Sequence, residues 1–166
     1  LSGIFCKRMF AATAQSLPQY NNSRKKVVVG HGIDVAYWGN VGGEGKSSEK
    51  SLVYINRLSR SKRVELAIQS LAHLPREYTL TVYGRIVPGE EAYHHELKIL
   101  SEQEVFKGRV FLNGSIPMSG LKKIYPQHRL MVNMAMETID KTMLEGMLFG
   151  VYPVTTPLNS QAIGLP

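Results

Sequence analysis

The sequence has a single cysteine, Cys6, and therefore no internal disulfide, which is typical of a protein from a reducing compartment. No apolar run approaches the ~20 residues that a membrane-spanning helix needs, and the start of the chain lacks the plan of a signal peptide. These features argue against a disulfide-rich secreted domain and against a membrane-spanning one. They predict a cytoplasmic protein.

Acidic residues are scarce relative to basic ones, 13 against 20, which gives a net charge of +7. Such a surplus favours anionic partners: nucleic acid, phosphorylated small molecules or an anionic membrane surface. No nucleic-acid fold signature and no stacking motif of aromatic residues accompany the basic clusters. We therefore expect no nucleic acid, and we keep a phosphorylated ligand and peripheral contact with the inner face of a membrane as alternatives.

Two glycine motifs are incomplete. Glycines at 30 and 32 follow an apolar strand, but Val35 stands where a dinucleotide-binding fingerprint has its third glycine. A phosphate loop ending in the GKS of residues 45–47 would need a glycine at position 40, which is Asn40. Neither motif is accepted, and the role of His31, between the first two glycines, stays open.

Short apolar strands alternate with amphipathic helices along most of the chain. Strands are predicted at 26–29, 52–55, 78–83, 110–112, 130–132 and 152–154, and helices at 4–17, 64–74, 90–104, 118–125 and 141–149. Such alternation predicts an α/β fold, a Rossmann-like three-layer domain with a parallel sheet and helices on both faces.

Two carboxylates flank the end of the strand at 130–132 and the following helix. Glu137 and Glu145 lie eight positions apart, near the carboxyl edge of the sheet, where ligands bind in open α/β folds. They could form an acid–base pair, accept hydrogen bonds from sugar hydroxyls, or hold a metal. No histidine or aspartate has a suitable spacing to complete a metal site, so we expect no metal.

Cations follow the strand at 52–55 at the same edge. Arg57 and Lys62 combine a planar fork and a flexible point charge, which suits a diphosphate. Lys62 and Lys141 also begin helices, where the helix dipole disfavours positive charge. A bound anion would compensate for both.

Five segments along the chain form a recognisable series. They are VVGHGID at 28–34, LVYINR at 52–57 with Lys62, TVYG at 81–84, VFLNG at 110–114, and the E-x7-E motif of Glu137 and Glu145 with the residues up to Val154. Taken in order, these segments resemble the carboxyl-terminal half of a GT-B glycosyltransferase of the retaining family 4, the glycosyl transferases group 1 type. The resemblance runs from about residue 27 to 156 and implies one half of a GT-B fold.

The resemblance implies a role for each candidate residue. Glu137, Arg57 and Lys62 would be catalytic, with Glu137 on the donor sugar and the two cations on its diphosphate. Glu145 would bind the ribose, and the base would lie near Gly84 and Ile116. Backbone amides would meet the sugar and the phosphates at Ile139, Asp140, Lys141 and Thr142.

The resemblance also implies the reaction and the partners. The donor would be a UDP-, GDP- or ADP-sugar, with no cofactor, and a hexosyl group would pass to a glycan or lipid-linked acceptor in polysaccharide biosynthesis. Residues 1–24 would be a helix and linker from an acceptor domain outside this chain, and residues 25–166 a truncated nucleotide-sugar domain, inactive alone. The alternatives are an epimerase-like or phosphorylase-like GT-B domain and a non-catalytic flavodoxin-like module.

The chain departs from the family pattern at four places. Asn56 replaces a glycine, Ile139-Asp140 replaces Phe-Gly, Gly146 replaces alanine, and Pro153 falls one position late. The Ile139-Asp140 turn leaves the identity of the donor sugar open.

Overall fold

A computed structural model describes residues 5–39, 48–136 and 140–164. The strands are β1 (Met9–Ala11), β2 (Lys26–Val28), β3 (Ser48–Ile55), β4 (Thr79–Tyr83), β5 (Val110–Leu112), β6 (His128–Asn133) and β7 (Tyr152–Thr155). The α-helices are α1 (Val35–Trp38), α2 (Val64–Ser70), α3 (Glu91–Glu102), α4 (Met118–Ile124), α5 (Lys141–Leu148) and α6 (Pro157–Ala162).

A parallel five-stranded sheet in the order β5-β4-β3-β6-β7 forms the centre of the domain. Helices flank it, so the predicted α/β, Rossmann-like class is confirmed. β1 and β2 form a separate parallel pair. The helix predicted at 4–17 is wrong, because Met9–Ala11 is a strand whose backbone pairs with residues 26–28.

Both faces of the sheet are covered, and β3 shows why. Leu52 and Tyr54 point to one face and pack with α2 and α3, whereas Val53 and Ile55 point to the other and pack with α4 and α5. A strand buried on both faces is continuously apolar rather than alternating. Residues 52–55 follow this pattern, and the exposed residues 48–50 extend the strand beyond its predicted start.

The predicted helices that are present differ from prediction at their ends, and two further helices were not predicted. α2 stops at Ser70 and continues as a 3₁₀ turn over Leu71–His73. α1 was not predicted; the Asp34 carboxylate caps it by accepting a hydrogen bond from Tyr37 N at 2.9 Å. α6 was not predicted either. No helix in the described ranges is long and apolar enough to cross a membrane.

Candidate functional site

The parallel strands β3 and β6 lie side by side at the centre of the sheet, and the chain connections that follow them run to opposite sides of the sheet. β3 continues to β4 on one side, and β6 continues to β7 on the other. Such a reversal opens a crevice at the carboxyl ends of the strands, where ligands of α/β proteins bind. Asn56 follows β3 directly, and Asn133 ends β6, so both side chains lie at this crevice.

A cleft of about 350 Å³ opens at this edge. Five predicted site residues line it: Arg57, Gly84, Ile116, Thr142 and Glu145. The remaining wall contains Ile55, Asn56, Tyr83, Arg85, Ser115, Met118 and Leu121. Residues as far apart in sequence as Ile55 and Glu145 thus meet in one cavity large enough for part of a nucleotide.

The other predicted residues lie elsewhere or are not described. Lys62 and Asp140 are not among the residues that line the cleft, and Lys141 is exposed at the start of α5. Glu137 and Ile139 lie outside the described residues.

Asp140 is the centre of a polar cluster at the crevice, which we call the Asp140 cluster: Asn56, Lys62, Asn133 and Asp140. The Asp140 Oδ1 atom accepts a hydrogen bond from Lys62 Nζ at 2.9 Å. Its Oδ2 atom accepts one from Asn56 Nδ2 and one from Asn133 Nδ2, both at 2.7 Å. Both carboxylate oxygens are therefore occupied by donors.

Backbone groups orient the two amides of the Asp140 cluster. Asn56 Oδ1 accepts from Arg57 N at 2.9 Å, and Asn133 Oδ1 accepts from Ala135 N at 3.0 Å. Each amide therefore turns its NH₂ group toward the carboxylate. The Lys62 and Asp140 side chains are only 6% and 15% exposed. Shielding from water strengthens their attraction, and the amide donors offset part of the cost of burying the carboxylate.

The backbone around Lys62 is held by a buried tyrosine. The Tyr54 hydroxyl donates to the Lys62 carbonyl oxygen at 2.8 Å, and burial, followed by the nearby Asp140 charge, raises the pKa of Tyr54. Arg63, the next residue, has a left-handed backbone with φ of 52°. Few non-glycine residues adopt this conformation, so the turn that aims Lys62 at the crevice is a constrained one.

Glu145 lies on α5 with 8% of its surface exposed. Burial raises the pKa of its carboxyl group, while a hydrogen bond from Tyr125 and the charge of Lys141 oppose the shift. The Tyr125 hydroxyl lies 3.1 Å from Glu145 Oε2 and 3.2 Å from the Thr142 carbonyl oxygen. The carboxylate is thus a largely shielded acceptor on the wall of the cleft.

The glycine at 146 fits the position of Tyr125. A Cβ atom at Gly146 would lie 2.9 Å from Met131 Cε and 3.4 Å from the Tyr125 ring. An alanine, as in the family pattern, would need Met131 to move. Gly146 therefore lets α5 pack closely over the tyrosine that contacts Glu145.

Gly84 has a packing role as well as a place in the cleft. A Cβ atom there would lie 2.0 Å from the Asn56 carbonyl oxygen, a collision with backbone. Gly84 N donates to the Gly114 carbonyl oxygen at 2.7 Å, which joins the ends of β4 and β5. The glycine thus allows the carboxyl ends of three neighbouring strands to form one continuous wall.

Helix α5 begins at the cleft without a side-chain cap. Asp140 occupies the N-cap position, but its carboxylate makes no capping bond and is used by the Asp140 cluster. The Thr142 hydroxyl donates to the Ile55 carbonyl oxygen at 3.1 Å and ties the first turn to β3. The positive end of the helix dipole is therefore fixed beside the cleft.

A comparison with known protein families identifies the family of this chain. Residues 42–162 match the family described as Glycosyl transferases group 1. The chain belongs to the glycosyl transferases group 1 family. The recognition from sequence is confirmed, since the fold is also that of GT-B glycosyltransferases. No match was found among curated protein sequences.

Solved structures share the fold at low sequence identity. The Anabaena protein Alr3699/HepE, in complex with UDP and glucose, superposes with a TM-score of 0.86 at 17% identity, over 99% of this chain and 48% of that one. A glycosyltransferase from Rickettsia africae gives 0.76 at 14% identity, over 92% and 45%. The pneumococcal O-GlcNAc transferase GtfA, in complex with UDP and GlcNAc, gives 0.69 at 18% identity, over 96% and 32%. The chain spans about half the length of the Anabaena protein.

Sequence reasoning missed three residues at this candidate site. Arg85 lines the cleft directly after Gly84, Asn133 holds Asp140, and Tyr125 contacts Glu145. A polar residue at the end of an apolar strand was the available signal for Asn133, and the position after a strand-ending glycine was the signal for Arg85. Tyr125 carries no such signal, because its hydroxyl reaches the site from beneath α5.

Proposed function

We propose that the chain binds the nucleotide-sugar donor of a retaining glycosyltransferase in the 350 Å³ cleft. The observation that carries the proposal is the meeting of Arg57, Thr142 and Glu145 in one cleft at the crevice between β3 and β6, in a chain of the glycosyl transferases group 1 family. The Arg57 cation and the start of α5 suit the phosphates of such a donor, and the Glu145 carboxylate suits its hydroxyl groups.

The reaction needs stabilisation of a leaving group more than a strong nucleophile. The bond between the sugar carbon and the diphosphate oxygen breaks, and the electron pair goes to the diphosphate. The acceptor hydroxyl then forms the new bond on the same face of the sugar and passes its proton to the departing diphosphate. Arg57, Lys62 and the beginning of α5 stabilise the developing charge, which makes a metal ion and a cofactor unnecessary.

The carboxylates have the remaining roles. Glu145 accepts hydrogen bonds from the two ribose hydroxyls, and Glu137 contacts the donor sugar. Gly84 and Ile116 form the wall against which the base packs. The backbone amides at residues 139–142 meet the sugar and the phosphates, in keeping with the uncapped start of α5.

The acceptor belongs to another part of the enzyme in this proposal. The chain matches 48% of the Anabaena protein, which leaves room there for a second domain. We place a glycan or lipid-linked acceptor in such a domain and expect this chain alone to bind nucleotide without transferring a hexosyl group. The net charge of +7 would assist peripheral contact with an anionic membrane that carries a lipid-linked acceptor.

Titration calorimetry with UDP, GDP and ADP tests the proposal. UDP is the first choice because it is bound in the Anabaena and pneumococcal structures. We expect Arg57→Ala to weaken binding about ten- to hundredfold, the loss of one or two charge-assisted hydrogen bonds. Arg76→Ala is the matched control, because Arg76 is an exposed arginine outside the cleft.

Two results would overturn the proposal. One is folded protein that binds none of the three nucleotides. The other is equal weakening by Arg57→Ala and Arg76→Ala, since a diffuse basic surface rather than the cleft would then attract the nucleotide.

A further inference from the structure

Two departures from the family pattern are in direct contact. Asn56 and Asp140 lie 84 positions apart, and each stands where the pattern has glycine, yet Asn56 Nδ2 donates to Asp140 Oδ2 at 2.7 Å. Glycine at both positions would provide neither the carboxylate nor the amide that holds it. The two substitutions therefore form one feature, an anion built into the crevice together with its support.

This internal anion already binds one of the cations that a diphosphate would use. Lys62 is 5% exposed, and its ammonium group is bound to Asp140 at 2.9 Å. Asp140 also stands at the beginning of α5, where a negative charge is favoured by the helix dipole. Asp140 is thus bound to Lys62 and also stands at the positive end of the α5 dipole.

The Asp140 cluster is adjacent to the cleft through a shared residue. Asn56 lines the cleft and also holds Asp140, whereas Lys62 and Asp140 do not line it. A diphosphate next to Arg57 would come within reach of Lys62 only if Lys62 and Asp140 changed their pairing. Among the ion pairs in the described ranges, those of Lys50 with Glu77 and Arg60 with Glu96 have side chains more than half exposed, unlike this one.

We propose that Asp140 is an internal competitor for Lys62 that sets the affinity of this site for the diphosphate of its donor. The inference rests on the proposed function. In the empty site Asp140 neutralises Lys62; when the donor binds, a phosphate oxygen takes the place of the carboxylate at the ammonium group. Asn56 and Asn133 keep their hydrogen bonds to Asp140 and retain the displaced carboxylate nearby.

Competition makes a specific prediction for Asp140→Asn. Asparagine keeps the shape and removes the charge, so Lys62 is left without its internal anion. We expect affinity for UDP and for inorganic pyrophosphate to rise about tenfold, the effect of one charge-assisted contact no longer opposed. Affinity for uridine, which has no phosphate, should not change. Calorimetry of the three ligands measures each affinity.

A double-mutant cycle assigns the gain to Lys62. In a Lys62→Met background, Asp140→Asn should give no gain in UDP or pyrophosphate affinity, because the cation that profits is absent. Glu96→Gln is the matched control: it removes the partner of Arg60, which belongs to the same 3₁₀ turn as Lys62 but is paired at the exposed surface. It should leave all three affinities unchanged.

A thermal measurement covers the case in which a variant is only marginally folded. Asp140→Asn and Asp140→Gly leave a buried ammonium group without its counterion, so both should melt below the wild type. Pyrophosphate should then raise their melting temperatures by more than it raises that of the wild type. A residue that merely supports the fold would lower the melting temperature without this ligand-specific recovery.

The outcomes separate this inference from the proposed function. If the wild type binds UDP and Asp140→Asn binds it equally or more weakly, the competition is wrong and nucleotide binding stands. If neither protein binds UDP, GDP, ADP or pyrophosphate although both are folded, both proposals fail. If uridine gains as much as UDP, the effect is a general change in the cleft, and the competition is again wrong.

Discussion

Two buried cations lie at opposite edges of the same sheet and are held by different kinds of acceptor. Arg109 precedes β5 at the amino edge, is 7% exposed, and donates to four backbone carbonyl oxygens at 2.9–3.3 Å. Lys62 lies at the carboxyl edge, is 5% exposed, and is paired with one carboxylate. Carbonyl groups fixed by the chain cannot leave Arg109, whereas a phosphate can replace the carboxylate at Lys62.

The difference separates a structural cation from one that can serve a ligand. The guanidinium of Arg109 joins the segment before β4 to the segment before β5, through Tyr78 on one side and Val105 on the other. All of its partners are backbone carbonyl groups. The partner of Lys62 is a carboxylate, which is an oxygen anion like the phosphate groups of the expected ligand. We therefore expect the two cations to respond differently to mutation.

The largest effect is expected for Arg109→Met. Four carbonyl oxygens lose their charged donor in a buried place, so the free energy of unfolding should fall by about 4 kcal/mol. Urea denaturation followed by circular dichroism measures the change. Where the variant is folded, its UDP affinity should equal that of the wild type; a loss of affinity comparable to that of Lys62→Met would remove the contrast between the edges.

Lys62→Met should have a slightly smaller effect on stability and a large one on binding. Asp140 becomes a buried carboxylate without its cation, which costs about 3 kcal/mol. Unlike Arg109→Met, it should also weaken UDP binding at least tenfold, since a charge-assisted contact to phosphate is lost. The same denaturation and calorimetry apply. Full UDP affinity in this variant would show that Lys62 is structural like Arg109.

The contrast between the edges was only partly predictable from sequence. Apolar strands, amphipathic helices and glycine-terminated turns have local signals, and so the α/β class and the position of Arg57 at the carboxyl edge were predicted. The neighbours of each strand depend on how the crossovers pack. The order β5-β4-β3-β6-β7, which brings Asn56 to Asn133, has no local signal.

Contacts within the candidate site show the same limit. Asp140 and Asn56 were each recognised as departures from a family pattern, but their contact spans 84 positions and depends on the sheet order. The strand Met9–Ala11 was predicted as part of a helix because its apolar residues also fit helical spacing. Pairing with residues 26–28, a tertiary contact, decides between the two.

Tyr125→Phe extends the comparison to the second polar pair at the carboxyl edge. The variant loses the hydroxyl that contacts Glu145, so the free energy of unfolding at neutral pH should fall by about 2 kcal/mol, as for a hydrogen bond to a charged group. This hydrogen bond lowers the pKa of Glu145 while burial raises it, so the variant should titrate at higher pH. Carboxyl chemical shifts followed by NMR measure the titration.

The pH dependence distinguishes this pair from a packing effect. Because the folded-state pKa of Glu145 is raised above its unfolded value, its contribution favours folding in acid and is lost as the pH rises through the folded-state pKa. The hydrogen bond from Tyr125 favours the ionised form of Glu145. The loss of stability caused by Tyr125→Phe should therefore be smaller in acid, where Glu145 is protonated in both proteins. An equal cost at acidic and neutral pH would indicate lost packing alone.

The smallest effect is expected from His128 at the amino edge. His128 begins β6, is buried, and lies 2.7 Å from Ser51 Oγ through its Nδ1 atom. Burial lowers its pKa below the ordinary value of 6.5, so its contribution to stability is present above that value and is lost as the pH falls through the depressed folded-state pKa.

His128→Gln should reduce this acid sensitivity in denaturation curves taken from pH 7 downward. His73→Gln, at an exposed position near the same edge, should leave it unchanged. Equal curves for the wild type and His128→Gln would mean that His128 does not contribute to the acid sensitivity of the fold.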